Sequence, residues 1–360
     1  MSAITTSGGS SIGTARAVWF TAKEEVKLLE EDLPPVGRDE ILVSAIVSLV
    51  SPGTEMTLFR GQAAQGDEMS LPTMGGSFPF PVKYAYQVVG RVDEAGPDSG
   101  FSAGDLVFAA HPHQDRFVMK PTFEFDGLAI PLVYPVIEGL SPQQAAFTNM
   151  LSVPYGGLLE VPVRIGDVVG VSGLGVIGTF AAWLARRTAS RLVLIDPLQE
   201  RRDRADWIGA DAVVHPDDAV STIEELSNGV GADVFFEASG APAGLQTALS
   251  VTGPEGHVVV ISYFGGREVS LRLSPEFLLR QQRIISTFAG GIPGELVPRW
   301  SRSRKMRTAM ELLAQIDVER FITHRVPVSD APSAYSLINE RPQDSFGVLL
   351  EYSAPRTGDR

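Results

Sequence analysis

The sequence of 360 residues contains no cysteine. This absence excludes disulfide bonds, thiolate nucleophiles and every zinc site built on cysteine ligands. An excess of positive charge is also missing, because 30 Lys and Arg face 43 Asp and Glu and the formal net charge is −13. We therefore expect no nucleic-acid partner and no binding to an anionic membrane surface.

Long apolar segments are scarce as well. Residues 168–185 carry no charge, but four of these eighteen residues are glycine, which favours a strand, a turn and a helix over a membrane span. Residues 1–13 are polar and rich in Ser and Gly, without the basic start and apolar centre of a signal peptide, so we expect a disordered tail. With neither feature, the cytoplasm is the expected location.

The most informative stretch runs from Asp167 to Asp196: an apolar run, three glycines, an Ala-rich segment, a second apolar run and an acid. Gly173 lets the chain turn off the first strand, Gly175 lets backbone N–H groups approach a pyrophosphate, and Gly178 lets helix and strand pack closely. The helix N-terminus then faces the phosphates. We predict that a dinucleotide binds at Gly173, Leu174, Gly175, Val176, Ile177 and Gly178.

Three further residues are predicted to contact the cofactor. Asp196 follows Gly178 by eighteen residues and ends the second strand, where a carboxylate accepts hydrogen bonds from a ribose 2′-OH and repels a 2′-phosphate. This favours NAD(H), with NADP(H) as the less favoured cofactor. By spacing, Arg201 is expected near the adenine and Ser239, after the fourth strand, near the nicotinamide ribose.

The length predicts two domains. Before residue 141, short strands broken by Gly and Pro indicate a compact, partly open β-barrel. Residues 141–160 are predicted to form a helix kinked at Pro154. Six strands then alternate with helices, which indicates an α/β domain with a doubly wound parallel sheet. The strands are expected near residues 168–172, 191–196, 212–214, 233–237, 257–262 and 284–288.

With GLGVIG at residues 173–178 and ITHRVPVSDAPSAYSLI at residues 322–338, the chain resembles the medium-chain dehydrogenase/reductase superfamily over nearly its whole length. Three segments resemble the branch that includes the bacteriochlorophyllide 2-hydroxyethyl dehydrogenases: PVKYAYQVVGRV, HPHQDRFV and RWSRSRKMRTAMELLA. The resemblance implies a GroES-like catalytic domain, at residues 14–156 and 290–360, and a Rossmann domain at residues 157–289. It also implies a small-molecule substrate and a homodimer that pairs along the edge strand at residues 284–291.

The resemblance also implies that the catalytic zinc is lost. The positions that hold zinc ligands in zinc-dependent members fall here at Pro52, Tyr86 and Asn149, and Gln87 stands where those members have a glutamate. Proline cannot ligate, and zinc prefers thiolate, imidazole or carboxylate. A rebuilt site from Glu55, His111 and His113 is disfavoured, because the two imidazoles flank Pro112 and are expected to point to opposite faces.

Without zinc, hydroxyl groups must stabilise or protonate the alkoxide that develops during hydride transfer. Thr54 aligns with the Ser or Thr that relays the alcohol proton in zinc-dependent relatives. Tyr86 is expected to act as a proton donor, with Lys83 lowering its pKa if a turn brings the lysine near. The alternatives are that Tyr86 only fills the space left by zinc and that Lys83 is a solvated surface residue.

Three other residues are candidates for the active site. His111 is predicted either to line the substrate pocket, as that position does in the superfamily, or to end a strand. Glu55 is predicted either to extend the proton relay or to pair with an arginine. Asn149 is predicted to orient the substrate or the nicotinamide.

These features predict a zinc-independent, NAD(H)-linked oxidoreductase that interconverts a secondary alcohol and a ketone on a mid-sized metabolite. One alternative is an NADPH-dependent quinone or enoyl reductase of the same superfamily, which reduces a C=C bond. The other is a nucleotide-binding protein without catalysis.

Overall fold

The structure is a computed structural model that describes residues 11–63, 71–287 and 289–353. The chain forms two compact units, residues 1–147 with 310–360 and residues 148–309. The predicted disordered tail lies outside the described residues except at its end, where Gly13 already begins the first strand. Within the described parts, no helix has both the length and the apolar character that a membrane crossing requires.

The first unit is rich in antiparallel strands, as the short apolar runs broken by Gly and Pro predict. In chain order its first elements are β1 (Gly13–Ala22), β2 (Glu25–Leu33), β3 (Ile41–Leu49), α1 (Thr54–Phe59), β4 (Gly75–Gly76), β5 (Val82–Lys83), β6 (Val88–Ala95), β7 (Leu106–Ala109), β8 (Arg116–Met119), β9 (Thr122–Phe125), β10 (Leu128–Pro131), β11 (Val133–Pro135) and α2 (Pro142–Ala146). The strands form a four-stranded sheet in the order β2-β1-β5-β4 and a β9–β10 hairpin.

The second unit alternates strands and helices. Its elements are α3 (Thr148–Glu160), β12 (Val168–Ser172), α4 (Val176–Ala185), β13 (Arg191–Ile195), α5 (Gln199–Ala205), β14 (Ala212–Val214), α6 (Ala219–Leu226), β15 (Ala232–Glu237), α7 (Pro242–Val251), β16 (Thr252–Val260), α8 (Glu276–Leu279), β17 (Arg283–Ser286) and α9 (Arg302–Leu313), whose last turn belongs to the first unit. The strands form one parallel sheet in the order β14-β13-β12-β15-β16-β17.

The end of the chain returns to the first unit as β18 (Ile322–Pro327), α10 (Ala331–Glu340) and β19 (Gly347–Glu351). These two strands complete a seven-stranded sheet in the order β11-β7-β6-β3-β19-β18, with β8 paired to β3. Helix α10 places Tyr335 in the core, where its ring lies 5.1 Å from Phe20 and 5.8 Å from Phe59 between centroids. The last segment therefore holds the first unit together.

The fold class predicted from the sequence is confirmed: a Rossmann-type, six-stranded, doubly wound sheet and a GroES-like β-domain. Two details differ. The predicted helix at residues 141–160 is two helices, α2 and α3, interrupted at Phe147, and α2 begins with a capping box between Ser141 and Gln144. The last strand of the parallel sheet ends at Ser286, two residues before the predicted end.

The units divide at residues 148 and 309, whereas the sequence suggested residues 157 and 289. Helix α3 belongs to the second unit because it packs on the parallel sheet: a Cβ at Gly157 would lie 3.1 Å from Phe236 and from Val259. The segment after β17 stays in that unit as well, since Lys305 on α9 donates a 3.0 Å hydrogen bond to the carbonyl of Gly291.

Candidate active site

Three hydroxyl groups of the first unit meet at the start of α1. The Tyr86 phenol donates to Ser51 Oγ at 3.0 Å, so its oxygen accepts from Thr54 Oγ1, also at 3.0 Å. Thr54 opens the helix that follows Pro52 and Gly53, and both Thr54 and Tyr86 remain partly exposed while Ser51 is buried. We call Ser51, Thr54 and Tyr86 the hydroxyl cluster. The structure thus brings together the two hydroxyl residues predicted from the sequence.

Burial raises the pKa of the Tyr86 phenol above its ordinary value of 10.0, although hydrogen bonds to Ser51 and Thr54 work in the opposite direction. The phenol therefore stays protonated throughout the neutral range. This suits a group that gives a proton to a developing alkoxide.

Glu55 lies directly behind the hydroxyl cluster and is completely buried. One carboxylate oxygen accepts the backbone N–H of Ser51 at 2.9 Å, and the other accepts the Tyr335 hydroxyl at 2.6 Å and His113 Nε2–H at 3.0 Å. Glu55 is therefore not the partner of an arginine, which was one of its two predicted roles. It anchors the loop that carries Ser51.

His113 extends this buried set of groups. Its Nε2 lies 3.0 Å from a carboxylate oxygen of Glu55, and its Nδ1 lies 2.7 Å from Ser48 Oγ. Ser48 Oγ in turn lies 2.9 Å from the Tyr352 hydroxyl. From the sequence alone, His113 is a candidate only for a rebuilt zinc site. Its alternation with His111 in HPHQD was the available signal, but its partners come from β3 and from the end of the chain.

Lys83 does not approach the Tyr86 phenol. Its ammonium donates to Glu31 at 2.6 Å and to Gln114 at 2.9 Å, and it lies 5.9 Å from the centroid of the Trp19 ring. The predicted lowering of the Tyr86 pKa by Lys83 is therefore wrong. The alternative of a solvated surface lysine is also wrong, because Lys83 is only 8% exposed.

His111 and His113 contact different residues. Its ring stacks on Phe117 with centroids 3.8 Å apart, and its Nδ1 lies 2.9 Å from the Pro112 carbonyl. Burial, followed by the charge of Lys83, lowers the pKa of His111 to about 3. The ring is therefore neutral, and it lines a cavity of about 690 Å³ in the first unit.

The residues at the ligand positions of zinc-dependent relatives do not fit zinc. The Pro52 side chain has no atom that can ligate a metal, and the Tyr86 oxygen is hydrogen-bonded to two hydroxyls. Gln87 is buried with its Nε2 on the Leu49 carbonyl, and its Oε1 has no partner within the described ranges, but a single amide oxygen is a poor zinc site. Across the described residues, no group of three or more His, Cys, Asp or Glu could hold a metal ion.

Asn149 belongs to the second unit, in the first turn of α3, and its side chain is partly exposed. Its carbonyl accepts the Ser152 hydroxyl at 2.8 Å. Its role as a residue that orients the substrate or the nicotinamide remains a prediction.

The glycine turn of the second unit has the geometry that the pattern predicts for a dinucleotide site. A Cβ on Gly178 would lie 1.8 Å from the carbonyl oxygen of Gly173, so only glycine fits there. Gly173 has a φ of +86°, which favours glycine. A Cβ on Gly175, at the N-cap of α4, would meet no described atom within 4 Å.

The open space beside Gly175 leaves room for a pyrophosphate. No side chain caps α4, so the N–H groups of its first turn are available to phosphate oxygens. Leu174, Val176 and Ile177 complete the turn, and of these Leu174 and Val176 are buried.

Asp196 directly follows β13, which ends one residue earlier than predicted, and it is only 1% exposed. Its carboxylate accepts the backbone N–H of Leu174 at 2.7 Å and that of Leu198 at 2.9 Å. Arg201 lies 3.8 Å from the same carboxylate. Asp196 therefore fixes the glycine turn, and each carboxylate oxygen keeps a lone pair for a further donor.

Ser239 lies against the glycine turn, since a Cβ on Gly173 would come within 2.5 Å of its backbone. Its N–H donates at 2.8 Å to Glu237, a fully buried carboxylate at the end of β15. Hydroxyls of Ser239 and Ser262 also bind this carboxylate. Glu237 was not singled out from the sequence, although an acid ending an apolar strand, FFE, was visible there.

Comparisons with known proteins agree with this fold. Residues 176–315 match the family described as zinc-binding dehydrogenase. The alcohol dehydrogenase TADH from Thermus sp. ATN1 has the same fold, with a TM-score of 0.73, 23% identity, and coverage of 94% of this chain and 100% of the other. The matched residues begin after Pro52, Tyr86, Gln87 and Asn149, so the family match does not bear on the ligand positions.

Curated relatives extend the similarity over almost the whole chain. D-guloside 3-dehydrogenase of Shigella flexneri is 29% identical over 351 residues, covering 92% of this chain and 98% of that protein. L-threonine 3-dehydrogenase of Pyrococcus abyssi is 25% identical over 266 residues, covering 67% and 73%. The fold is thus that of the alcohol dehydrogenases. The chain is similar over most of its length to these dehydrogenases, which agrees with the resemblance to the medium-chain dehydrogenase/reductase superfamily.

Two solved structures of this fold contain a nicotinamide cofactor. A zinc-binding dehydrogenase of Sinorhizobium meliloti, bound to NADP, has a TM-score of 0.74 at 20% identity, with coverage of 94% of this chain and 99% of the other. An alcohol dehydrogenase of Escherichia coli CFT073, complexed with NADH, has a TM-score of 0.72 at 15% identity, with coverage of 94% and 99%. The fold therefore accommodates either cofactor.

Proposed function

We propose that this protein is an NAD(H)-linked oxidoreductase that interconverts a secondary alcohol and a ketone without zinc. The observation that carries the proposal is the hydroxyl cluster, in which Thr54, Tyr86 and Ser51 are joined by two 3.0 Å hydrogen bonds. The family resemblance implies that zinc-dependent relatives bind the metal and relay the alcohol proton at the positions of the hydroxyl cluster. The relatives support a dehydrogenase, since they are named for D-guloside, L-threonine and (R,R)-butanediol.

The nicotinamide, when bound, accepts or supplies the hydride. In the direction of reduction, Tyr86 Oη gives its proton to the developing alkoxide and takes one from the Thr54 hydroxyl. Thr54 is partly exposed and takes a proton from solvent in turn. In the direction of oxidation, the alcohol proton moves the opposite way. Because the phenol is protonated in the neutral range, it can act as the proton donor in the direction of reduction.

The preference for NAD(H) rests on Asp196, whose carboxylate would accept the ribose hydroxyl and repel a 2′-phosphate. The nearby Arg201, 3.8 Å from that carboxylate, is the feature that supports NADP(H) as the alternative. Titrations of NADH and NADPH followed by fluorescence distinguish the two. A clear preference for NADPH, with reduction of an enone, would favour the quinone or enoyl reductase alternative.

The proton-transfer proposal is tested with Tyr86→Phe and Thr54→Ala. Turnover is measured with a panel of methyl glycosides, L-threonine and 2,3-butanediol. A general acid contributes about 10²–10⁴-fold, so we expect Tyr86→Phe to lower kcat by about 10²-fold or more with the NADH dissociation constant unchanged. Tyr134→Phe, which removes a hydroxyl that donates to the Pro131 carbonyl at 2.9 Å, is the matched control.

Two results would contradict the proposal. Unchanged turnover in both Tyr86→Phe and Thr54→Ala would show that the hydroxyl cluster does not act in the reaction. About one zinc per chain, measured by plasma mass spectrometry on protein purified without chelator, would disprove the zinc-free mechanism. NADH binding without turnover of any substrate would favour the non-catalytic alternative.

A further inference from the structure

The first unit contains a cavity of about 690 Å³ that the proposed reaction does not use. It is lined by residues of β2, β8 and β9 and by Lys83, His111 and Gln114, and we call these last three residues the floor of the cavity. None of Ser51, Thr54 and Tyr86 lines it. Small-molecule sites typically enclose roughly 300–1,000 Å³, so the volume suits a metabolite.

The floor of the cavity is held in a fixed arrangement. Glu31 accepts Trp19 Nε1–H and the Lys83 ammonium, both at 2.6 Å, and Lys83 also donates to Gln114 Oε1 at 2.9 Å. Because an ammonium only donates, the oxygen of the Gln114 amide must face Lys83. The Nε2 group of Gln114 therefore faces away from Lys83.

Three polar groups on this floor keep hydrogen-bonding capacity that no described residue uses. Gln114 is 4% exposed, yet its two Nε2 hydrogens meet no acceptor in the part of the chain that the structure describes. His111 is also 4% exposed, and because its Nδ1–H is directed to the Pro112 carbonyl, its Nε2 presents a bare lone pair. The Lys83 ammonium retains a third N–H. The floor thus offers two donor groups, Gln114 Nε2 and the Lys83 ammonium, and one acceptor, His111 Nε2.

The charges around the cavity exclude most ionic ligands. Five acidic residues line it, Glu31, Asp32, Asp39, Glu40 and Glu124, against the two basic residues Lys83 and Lys120. An anion would be repelled by this acidic lining, and a cation on the floor would meet the Lys83 ammonium. A neutral ligand avoids both penalties. Its hydroxyls can donate to His111 and accept from Gln114 and Lys83, which carbonyl or amine groups alone cannot do.

We propose that this cavity binds a neutral, polyhydroxylated molecule of the size of a sugar or cyclitol, through His111 Nε2, Gln114 Nε2 and the Lys83 ammonium. The proposal is independent of the dehydrogenase activity, because binding is measured without cofactor. The molecule can be the substrate of the reaction or a separate ligand, and the test distinguishes the two.

The test is titration of the full chain with methyl β-D-glucoside and myo-inositol, followed by calorimetry and by the Trp19 indole N–H signal in NMR spectra. Trp19 reports on the floor because it shares Glu31 with Lys83. We expect saturable binding, and at least tenfold weaker binding of glucuronate and glucosamine. Gln114→Leu and His111→Phe should each weaken binding about tenfold; His111→Phe keeps a ring that can stack on Phe117.

Gln343→Leu, an exposed glutamine of the same unit, is the matched control and should leave binding unchanged. Oxidation of the bound sugar by NAD, with a KM raised in His111→Phe and Gln114→Leu, would identify it as the substrate. Binding without turnover would identify a separate ligand. The proposal is overturned if neither neutral probe binds at 10 mM, roughly the weakest useful affinity, if a charged analogue binds better, or if both variants bind like the wild type.

Discussion

Glu55 is a single residue that joins distant segments of the first unit behind the hydroxyl cluster. A fully buried carboxylate requires several donors, because an unpaired buried charge is strongly unfavourable. Here the donors are the Ser51 backbone, His113 and Tyr335. Burial, followed by the negative charge of Glu55, raises the pKa of Tyr335 well above its ordinary value. The tyrosine therefore remains a donor, and the loop that carries Ser51 is fixed from behind.

His111 makes a measurable contribution to the pH dependence of stability. Its pKa is about 3 in the folded protein and 6.5 for an unperturbed histidine, so between these values the unfolded chain binds a proton that the folded chain does not. Stability is therefore lost as the pH falls below 6.5. In His111→Phe this loss is absent.

Urea unfolding of wild type and His111→Phe at pH 7.5 and 4.5 checks this expectation. Between pH 7.5 and pH 4.5, the free energy of unfolding of the variant should rise by about 2–3 kcal/mol relative to that of the wild type, because one pKa unit is worth about 1.4 kcal/mol. All carboxylates are common to both proteins, so their contribution cancels. Parallel pH profiles for the two proteins would show that His111 is not held neutral.

At the scale of elements, the glycine turn between β12 and α4 provides a matched pair of substitutions. Gly175→Ala adds a methyl group where no described atom lies within 4 Å, at a φ of −73° that alanine adopts readily. Gly178→Ala drives the same methyl group to 1.8 Å from the Gly173 carbonyl. We expect Gly175→Ala to keep the thermal midpoint but weaken NADH binding at least tenfold, because the methyl group occupies the space for the pyrophosphate.

Gly178→Ala should lower both the thermal midpoint and NADH affinity. Thermal unfolding and fluorescence titration of the two variants are the measurements. Equal NADH affinity in Gly175→Ala and wild type would place the phosphates elsewhere than at this turn.

The elements of the second unit were predictable because each carries its own local signal. Apolar runs of four to six residues alternate with helical segments. Each glycine of the turn has its own reason: Gly173 has a positive φ, Gly178 lies against the Gly173 carbonyl, and Gly175 leaves open space beside the helix start. The meeting of Thr54 with Tyr86 was also predictable, but only through the family resemblance. The break between α2 and α3 at Phe147 was missed, since nothing local to residues 141–160 interrupts the helical pattern before Pro154.

The contacts that the sequence did not reveal join distant segments. Lys83 meets Glu31 from β2 and Gln114 from the segment before β8, while Glu55 meets Tyr335, 280 residues later in the chain. No periodicity or spacing links such residues, because strand pairing and sheet order decide which side chains become neighbours. The roles of Lys83 and Glu55 in the site therefore could be stated correctly only with the fold known.

At the scale of the whole molecule, the open edge of the parallel sheet is the feature that concerns assembly. Strand β17 is the last in the sheet and pairs only with β16 among the described strands. Ile284 on this strand is 40% exposed, and Leu278 and Leu279 on the neighbouring α8 are 66% and 75% exposed. An edge strand with exposed apolar neighbours is a ready site for pairing with another chain.

We propose that two copies of the chain pair along β17 about a twofold axis, which is the commonest symmetry of soluble oligomers. Light scattering should then give a mass of about twice 38.6 kDa for the wild type. Ile284→Lys buries a charge in such an interface and should shift the protein towards the monomer. Val220→Lys on α6 is the matched control, since Val220 is 41% exposed and lies away from this edge. A wild-type monomer, or a dimer unaffected by Ile284→Lys, would contradict pairing at β17.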